Sequence, residues 1–331
     1  NGPSMMPGGD ADAYKKVAPL LEKMSADDGE GGKCISYIGE DGAGHFVKMV
    51  HNGIEYGIMQ LLAESYALLK DIGGFTNEQL AETFAAWNAD EDLSSFLLEI
   101  TAGIFAKKDE ETGGDLIDVI ADRAGQKGTG KWTTEAAMTY GVAIPTINAA
   151  VDARILSGSI NKRAAHKSLP VNVDEHDTVP PPEKLRSIVR NAFELAAICT
   201  YGQGFDLIEQ AAKEEKWKID LAEVARIWRD GCIIRSAILP FFQAQYAKGD
   251  KTAAENMMQR FSGEKQLDWR RAITYSASRG IPTPALSASL SAYDAYRAEK
   301  LPQNLIQAQR DFFGAHTFER TDKGGKFHAE W

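Results

Sequence analysis

The sequence is poor in cysteine, and this absence limits the kind of fold it can adopt. Its three cysteines, Cys34, Cys199 and Cys232, are an odd number, lie far apart and form no CxxC pair. This argues against a disulfide scaffold and favours reduced thiols in a cytoplasmic protein. The six histidines show no zinc-binding spacing either, so no metal site is predicted.

Net positive charge and long apolar runs are also missing. The 37 Lys and Arg residues stand against 47 Asp and Glu, a formal charge of −10. A nucleic-acid partner is not expected, because neutralising phosphates needs a basic surface. No apolar run is long enough for a membrane span. An anionic ligand would require basic residues concentrated in one pocket, so clustered Lys, Arg and His are of interest.

The apolar content of 44% is enough for a packed core. The opening NGPSMMPGGD has no initiator methionine and no signal-peptide pattern, so we expect the chain to start within a fold. In residues 1–40, a helical pattern in ADAYKKVAPLLEKM and a strand-like CISYIG predict a short α/β segment. From residue 45 onward the pattern is helical. One long helix is predicted over 45–71, and Thr76 with Gln79 predicts a capping box on the next.

The sequence contains an internal repeat with an offset of 137 to 141 residues. The matching segments are MVHNGIEYG (49–57) with IVRNAFELA (188–196), LAETFAAW (80–87) with LAEVARIW (221–228), and a tryptophan followed by IPT (144–146) with another such pair (281–283). We predict two tandem helical halves, roughly 45–160 and 184–297, that pack on each other. The polar, proline-rich VNVDEHDTVPPPEK between them reads as a linker or surface loop.

The segment HFVKMVHNGIEYG carries a polar strip on an apolar helix. Lys48, His51, Asn52 and Glu55 follow i, i+3, i+4 and i+7 spacing, which places them on one helix face. Lys48 and Glu55 are about 10 Å apart along the axis, so a small substrate could touch both. Burial lowers a lysine pKa and raises a carboxyl pKa, which would supply a base and an acid. A solvated charge pair on an exposed face is the alternative.

The repeat serves as an internal control for these positions. Four ionisable residues of the first half are replaced in the second: Lys48 by Ser187, His51 by Arg190, Lys127 by Glu264 and Arg154 by Ser291. The shared architecture therefore does not require them. Asn52 and Glu55 recur as Asn191 and Glu194, so for these two a structural role stays open.

Two further basic positions could serve an anionic ligand. GQKGTGKWT at 125–133 resembles a Walker A motif, but Trp132 replaces the Ser or Thr and no strand precedes it, so an NTPase is rejected. Lys127 in this loop suits an anion, although the loop could be a simple glycine-rich connector. Arg154 lies in the small, apolar NAAVDARIL, and a buried arginine needs an anionic partner.

Five segments together resemble one enzyme family over essentially the whole chain: HFVKMVHNGIEYG, GQKGTGKWT, IPTINAAVDAR, IPTPALSASL and NLIQAQRDFFGAH. They are similar to the decarboxylating 6-phosphogluconate dehydrogenases of the pentose phosphate pathway. The resemblance implies oxidation and decarboxylation of 6-phosphogluconate to ribulose 5-phosphate and CO₂ with reduction of NADP, without a metal. It makes Lys48 the base that takes the 3-hydroxyl proton and returns a proton to the carbonyl oxygen as CO₂ departs. It makes Glu55 the acid that protonates C1 of the enediol.

The resemblance also implies substrate contacts at His51, Asn52, Tyr56, Lys127, Arg154, Arg310 and His316. Among these, Arg154 would hold the substrate phosphate. Arg310 and His316 lie in the tail, which in this family reaches across a homodimer to the phosphate site of the partner. A tail that lacks enough local periodicity to fold alone fits that exchange.

Two family features are not found in this sequence: a GxGxxG fingerprint that precedes a helix, and a Ser-Gly-Gly substrate loop. The expected fold is mainly α. We predict a remnant of the coenzyme-binding Rossmann domain (1–40), a helical substrate-binding and dimerisation domain (41–300), and a C-terminal helix and tail (301–331). With the cofactor site largely outside these residues, we expect little or no dehydrogenase activity from this chain alone. The alternatives are a related β-hydroxyacid dehydrogenase acting on a smaller acid, and a non-catalytic helical dimerisation module.

Overall fold

The computed structural model describes residues 2–171, 173, 178–247 and 259–331, and this part of the chain is mainly α-helical, as predicted. It forms two compact units, Asn1–Leu290 and Ser291–Trp331, which are described separately. The predicted boundaries at residues 40/41 and 300/301 stay predictions. No helix within the described ranges combines the length and the apolar character that crossing a membrane requires. All three cysteines are free.

The helices of the first unit and of its junction with the second are α1 Ala11–Met24, α2 Ala43–Ala67, α3 Asn77–Asn88, α4 Phe96–Ala106, α5 Thr129–Tyr140, α6 Pro145–Gly158, α7 Ile160–His166, α8 Pro182–Glu215, α9 Leu221–Ile227, α10 Leu239–Tyr246, α11 Glu264–Ser278 and α12 Pro284–Arg297. A π-helical turn, Leu68–Ile72, extends α2, and a 3₁₀ turn covers Leu116–Val119. The second unit contains α13 Gln303–Gly314 and the antiparallel strands β1 Phe318–Glu319 and β2 Lys326–Phe327. The linker predicted at 171–184 falls partly outside the described residues.

The first forty residues contain the predicted helix but only a trace of the predicted strand. α1 begins at Asp10, whose carboxylate accepts the N–H of Ala13 at 2.6 Å. The strand expected at CISYIG is wrong in extent, because pairing is limited to isolated parallel bridges of Ile35 with Met5 and of Gly39 with Gly8. The partner segment PSMMPGG cannot extend the ladder, since prolines lack an N–H and glycines weaken strands.

The long helices α2 and α8 pack on each other and join the two halves, as the repeat predicts. A Cβ added at Gly57 would lie 2.5 Å from Cγ2 of Thr200, and one added at Gly204 would lie 2.5 Å from Cδ1 of Ile54. Glycine at these two positions lets the helices approach closely. α2 ends in the π-helical turn before Gly74, which has a φ of +66°, so the predicted glycine stop is confirmed.

Each long helix also caps a helix of the other half. Glu64 of α2 is 2% exposed, and its two carboxylate oxygens accept the N–H groups of Ala285 and Leu286 at 2.8 Å, at the start of α12. Gln203 of α8 accepts the N–H of Thr146 at 3.0 Å, at the start of α6, and donates to its hydroxyl at 2.8 Å. The first N–H groups of a helix lack intrahelical partners, so both side chains satisfy buried donors. Glu64 and Gln203 are 139 residues apart and occupy equivalent positions of the repeat.

The capping box predicted at α3 is confirmed. The Thr76 hydroxyl accepts the N–H of Gln79 at 3.2 Å, and the Gln79 side chain accepts the N–H of Thr76 at 2.9 Å. Two donors at the helix start are therefore satisfied reciprocally.

In the second half, the recurring Asn–Glu pair is part of a buried ion network. The Glu194 side chain is fully buried. Its carboxylate is bound by Arg190 at 3.0 Å, Arg260 at 3.3 Å and Lys265 at 2.7 Å. Asn191 donates to Asp268 at 2.9 Å. Asp90 and Asp92 also pair with Arg190 and Arg260, so the charges of this site are balanced within the protein and the second-half counterpart of the polar strip is structural.

The second unit, Ser291–Trp331, folds around one carboxylate. Asp311 accepts hydrogen bonds from four groups: the N–H of Thr317, the ring of His328, the N–H of Ala329 and the indole of Trp331. Burial alone would raise the pKa of Asp311, but these hydrogen bonds lower it to about 2. The tail therefore has local structure. The sequence pattern did not indicate it, because the groups that bind Asp311 are not spaced with a helical period along the chain.

We predict that Glu64→Ala lowers the free energy of unfolding by about 3 kcal/mol, because it leaves two buried N–H groups of α12 without an acceptor. Glu64→Gln should cost less, since an amide oxygen still accepts one of them. Chemical unfolding in urea, followed by circular dichroism, measures both.

The matched control is Glu82→Ala, which removes an exposed glutamate of α3 and should change the free energy of unfolding by less than about 0.5 kcal/mol. Equal effects of Glu64→Ala and Glu82→Ala would show that the cap does not hold the two halves together.

Candidate active site

The structure brings the polar strip of α2 together on one face. Nζ of Lys48 lies 3.1 Å from Nδ1 of His51, and the same Nδ1 lies 3.1 Å from Oδ1 of Asn52. Glu55, one turn further along, is half-buried and has no hydrogen bond or ion pair with any described residue. Three of the four side chains thus contact one another, while the Glu55 carboxyl is left without a protein partner.

Lys48 and Glu55 have pKa shifts in opposite directions, as the strip predicts. The Lys48 residue reaches solvent, yet enough protein surrounds its amine that desolvation lowers its pKa, against the raising effects of Cys232 and Glu55. Desolvation raises the pKa of Glu55, against the lowering effects of Lys48 and Arg154. Each shift favours the neutral form, a free amine and a protonated carboxyl. These are the forms that a general base and a general acid need.

His51 is a neutral, buried member of the strip. Its side chain is fully buried, and desolvation together with the charge of Lys48 lowers its pKa to about 3. Nε2 has no hydrogen-bond partner in the described protein. The ring meets the indole of Trp228 edge to face, with 5.6 Å between centroids.

Arg154 lies beside the strip with its charge unpaired. Its guanidinium stacks on the ring of Tyr56 at 3.4 Å from the centroid and donates to the carbonyl of Gly125 at 3.3 Å. Among the described residues it forms no ion pair, and desolvation lowers its pKa against the raising effects of Tyr56 and Glu55. Tyr56 is fixed by Gly130, where a Cβ would lie 2.6 Å from the Tyr56 ring. The anionic partner that the sequence predicts for Arg154 is therefore not supplied by this part of the protein.

The glycine-rich loop at 125–128 is tied to Arg154 through Gly125 and leads into α5. Lys127 in this loop is exposed and has no ion pair with any residue that the structure describes. The loop ends at Gly128, whose φ of +101° favours glycine. The preceding element is the 3₁₀ turn at Leu116–Val119, which agrees with rejecting an NTPase.

Arg310 and His316 belong to the second compact unit and are described only within it. Arg310 donates to Gln307 at 3.0 Å, and the ring of His316 packs edge-on against Phe313. Both residues are exposed. Neither forms an ion pair with a described residue of that unit, so the guanidinium and the imidazole are both available to contact a ligand.

Sequence reasoning missed three residues that shape the site. Trp228 packs on His51, although the sequence marks this tryptophan only as a position of the repeat. Cys232 donates to the Trp228 carbonyl at 3.2 Å, and burial raises its pKa to about 12. Thr133 donates to the carbonyl of Met49 at 3.0 Å and leaves no space for a side chain at Gly53. Gly53 and Gly57, spaced i, i+4 on the face of α2 opposite the strip, are the signal that could have indicated close contacts.

Comparisons with known proteins agree with this geometry. The family model for the C-terminal domain of 6-phosphogluconate dehydrogenase matches residues 44–331, beginning at α2. A decarboxylating 6-phosphogluconate dehydrogenase of Synechococcus elongatus is 50% identical over all of this chain and 71% of its own length. An NADP(+)-dependent, decarboxylating relative of Bacillus subtilis is 48% identical, with the same coverage of both chains.

A solved structure shares the fold as well. The Plasmodium falciparum 6-phosphogluconate dehydrogenase, described in apo form and in complexes with NADP+ and with 6-phosphogluconate, superimposes with a TM-score of 0.90. It is 40% identical, over 98% of this chain and 70% of that one. By sequence and by structure, this chain belongs to the 6-phosphogluconate dehydrogenase family.

Proposed function

We propose that this chain binds 6-phosphogluconate on the polar face of α2 and carries out the proton transfers of its oxidative decarboxylation to ribulose 5-phosphate. The observation that carries the proposal is the pairing of Lys48 and Glu55 on one rigid helix with pKa values shifted toward each other. Titratable groups whose environments favour opposite proton-transfer roles are typical of acid–base catalysis.

Lys48 acts first in the proposed mechanism. Its neutral amine takes the proton from the substrate 3-hydroxyl as the hydride leaves the same carbon. The resulting ammonium returns a proton to the carbonyl oxygen as the bond to the carboxylate breaks and CO₂ departs, which leaves an enediol. The protonated Glu55 then delivers its proton to C1 of the enediol, and Lys48 removes the hydroxyl proton to form the ketone. One base and one acid therefore account for every proton.

Arg154 and Lys127 are the proposed anion contacts. Arg154 has a planar guanidinium without an ion-pair partner in the described residues, and this geometry suits bidentate binding of a phosphate. The neighbouring loop presents Lys127 to solvent. Asn52 and Tyr56 lie next to Lys48 and Glu55 on α2 and would orient the substrate hydroxyl and carboxylate groups, whereas the fully buried His51 would act on the substrate through Lys48.

NADP is the hydride acceptor of this family. The described residues do not fit a site for it. α1 follows a parallel-bridged segment, the position at which dinucleotide folds bind the diphosphate, but Asp10 caps its N-terminus and places negative charge there. We therefore assign this chain the binding and proton-transfer steps. That these 331 residues reduce little NADP on their own stays a prediction.

We also propose a homodimer in which each tail contributes Arg310 and His316 to the site of its partner. Two observations on the second unit support it. Both side chains are exposed and form no ion pair with a described residue there. α13 also leaves large apolar side chains uncovered, with Phe312 at 67% and Phe313 at 73% exposure. A cytoplasmic location is proposed from the three free thiols, although some relatives are chloroplastic.

We predict that 6-phosphogluconate binds this chain at low salt without cofactor, and that gluconate, which lacks the phosphate, binds far more weakly. Arg154→Met should weaken 6-phosphogluconate binding by about 10- to 100-fold and change gluconate binding little, because the lost contact is to the phosphate. Isothermal titration calorimetry of both ligands measures this.

Arg163→Met is the control, because Arg163 is an exposed arginine of α7 that pairs with Asp122. It should leave both affinities unchanged. If Arg154→Met lowered the affinity for both ligands equally, Arg154 would not contact the phosphate. That result would favour a dehydrogenase that acts on a smaller acid.

We predict that Glu55→Gln and Glu194→Gln separate chemistry from stability. In D₂O, the wild type should exchange the C1 hydrogens of ribulose 5-phosphate by reversing the final step, which needs no hydride acceptor. Glu55→Gln should slow this exchange by roughly 100-fold or more, with less than about 1 kcal/mol lost in stability. Glu194→Gln should lose about 3 kcal/mol of stability, because Lys265 loses its carboxylate partner and Arg190 and Arg260 each lose one of their two.

Glu194→Gln should retain the exchange while it is folded. NMR of the C1 protons and urea unfolding provide the two measurements. A Glu55→Gln variant that loses stability but keeps the exchange would make Glu55 a packing residue, as in a non-catalytic helical module.

We predict that mixed dimers reveal the exchanged tails. Arg154→Met removes a substrate contact of the helical domain, and the double variant Arg310→Ala/His316→Ala removes the contacts of the tail. The homodimer of either variant should therefore bind 6-phosphogluconate weakly. After coexpression, a mixed dimer with exchanged tails combines both defects in one site and leaves the other site intact.

Calorimetry of the purified mixed dimer should then show one tight site per dimer, and light scattering should give the mass of two chains. A monomeric mass at micromolar concentration, or mixed dimers as weak as both parents, would contradict tail exchange.

A further inference from the structure

Trp228 lies against the polar strip, and the proposed mechanism gives it no role. It follows α9, and its side chain is fully buried. Its ring meets the imidazole of His51 with an interplanar angle of 78° and 5.6 Å between centroids. Its Nε1 donates to Sδ of Met6 at 3.4 Å, and Phe205 packs on the ring at 5.4 Å. The indole is thus held firmly in place beside His51.

His51 has a conflict among its hydrogen bonds. Nδ1 lies 3.1 Å from Nζ of Lys48, a donor, and 3.1 Å from Oδ1 of Asn52, an acceptor. A neutral imidazole carries one proton, so Nδ1 either donates to Asn52 or accepts from Lys48. Nε2 is buried and lacks a nitrogen or oxygen partner in the described protein. The group that faces Nε2 therefore decides the tautomer.

We propose that Trp228 is a positioning residue that fixes His51 in the Nε2–H tautomer. The face of an aromatic ring is negative, so it attracts an N–H and repels a lone pair. The two rings meet nearly at right angles, and because Nε2 has no nitrogen or oxygen partner among the described residues, we take the imidazole edge that carries Nε2 to face the indole. A lone pair on Nε2 would instead be buried against that ring without compensation.

The tautomer matters because of what it does to Lys48. With the proton on Nε2, the Nδ1 lone pair accepts a hydrogen bond from the amine, and the lone pair of Lys48 stays available for the substrate hydroxyl. With the proton on Nδ1, the ring could donate to that lone pair and compete with the substrate. This inference rests on the proposed role of Lys48 as the base. Trp228 would act on Lys48 only through His51.

The repeat supplies a matched control in Trp87, the counterpart of Trp228. Trp87 is 3% exposed, and its ring packs on Phe84 at 5.2 Å and on Phe193 at 6.2 Å. It is as buried as Trp228 but packs on hydrocarbon rings, so replacing it tests the loss of a core tryptophan without a change at His51.

The test is nitrogen NMR of the chain labelled with ¹⁵N-histidine, at neutral pH and without substrate. The wild type should show a protonated Nε2 and an unprotonated Nδ1 at His51. Trp228→Phe keeps a ring face and should keep this tautomer, whereas Trp228→Leu should shift the ring toward Nδ1–H. Trp87→Leu should leave the His51 signals unchanged. A wild type with the proton on Nδ1 overturns the proposal, whether or not any variant folds.

Calorimetry with 6-phosphogluconate gives the functional readout. Trp228→Leu should weaken binding by about fivefold relative to Trp87→Leu, and Trp228→Phe should restore most of it. Equal losses in Trp228→Leu and Trp87→Leu would reduce Trp228 to a core residue. Failure of the wild type to bind 6-phosphogluconate would contradict the proposed function instead, and the tautomer measurement would still stand.

Discussion

The reciprocal capping of helices between the two halves is the constraint on which this structure depends. Glu64 of α2 accepts two N–H groups at the start of α12, and Gln203 of α8 accepts one at the start of α6. Because buried helix termini need acceptors, neither half can satisfy these donors alone. The halves are therefore one folding unit, and α2, which carries the polar strip, is fixed in the middle of it.

The candidate site depends on a difference between the two halves of the repeat. In the second half, Glu194 is surrounded by three cations and has no room for a ligand. In the first half, the matching Glu55 forms no ion pair with any described residue, and Lys48 and His51 take the places of Ser187 and Arg190. The same helix position is thus used for stability in one copy and left open for chemistry in the other.

The surroundings of α2 define the chemistry that the strip can do. Desolvation moves the pKa values of Lys48 and Glu55 toward their neutral forms, and Arg154, stacked on Tyr56, keeps an unpaired charge nearby. The family match begins in the first turn of α2 and therefore includes the whole polar strip. The tail adds exposed cationic and apolar groups that suit contact with a second copy.

The sequence by itself determined the helices, the repeat and the strip, because these depend on local period and spacing. The long helix at 45–71, the Thr76 capping box and the shared face of Lys48, His51, Asn52 and Glu55 could all be read from it. Three features could not be read from the sequence: the reduction of the CISYIG strand to isolated bridges, the folding of the tail around Asp311, and the contact of Trp228 with His51. Only the tertiary structure decided these, and it also separated the roles of Glu55 and Glu194, since burial and charge neighbours come from residues distant in the chain.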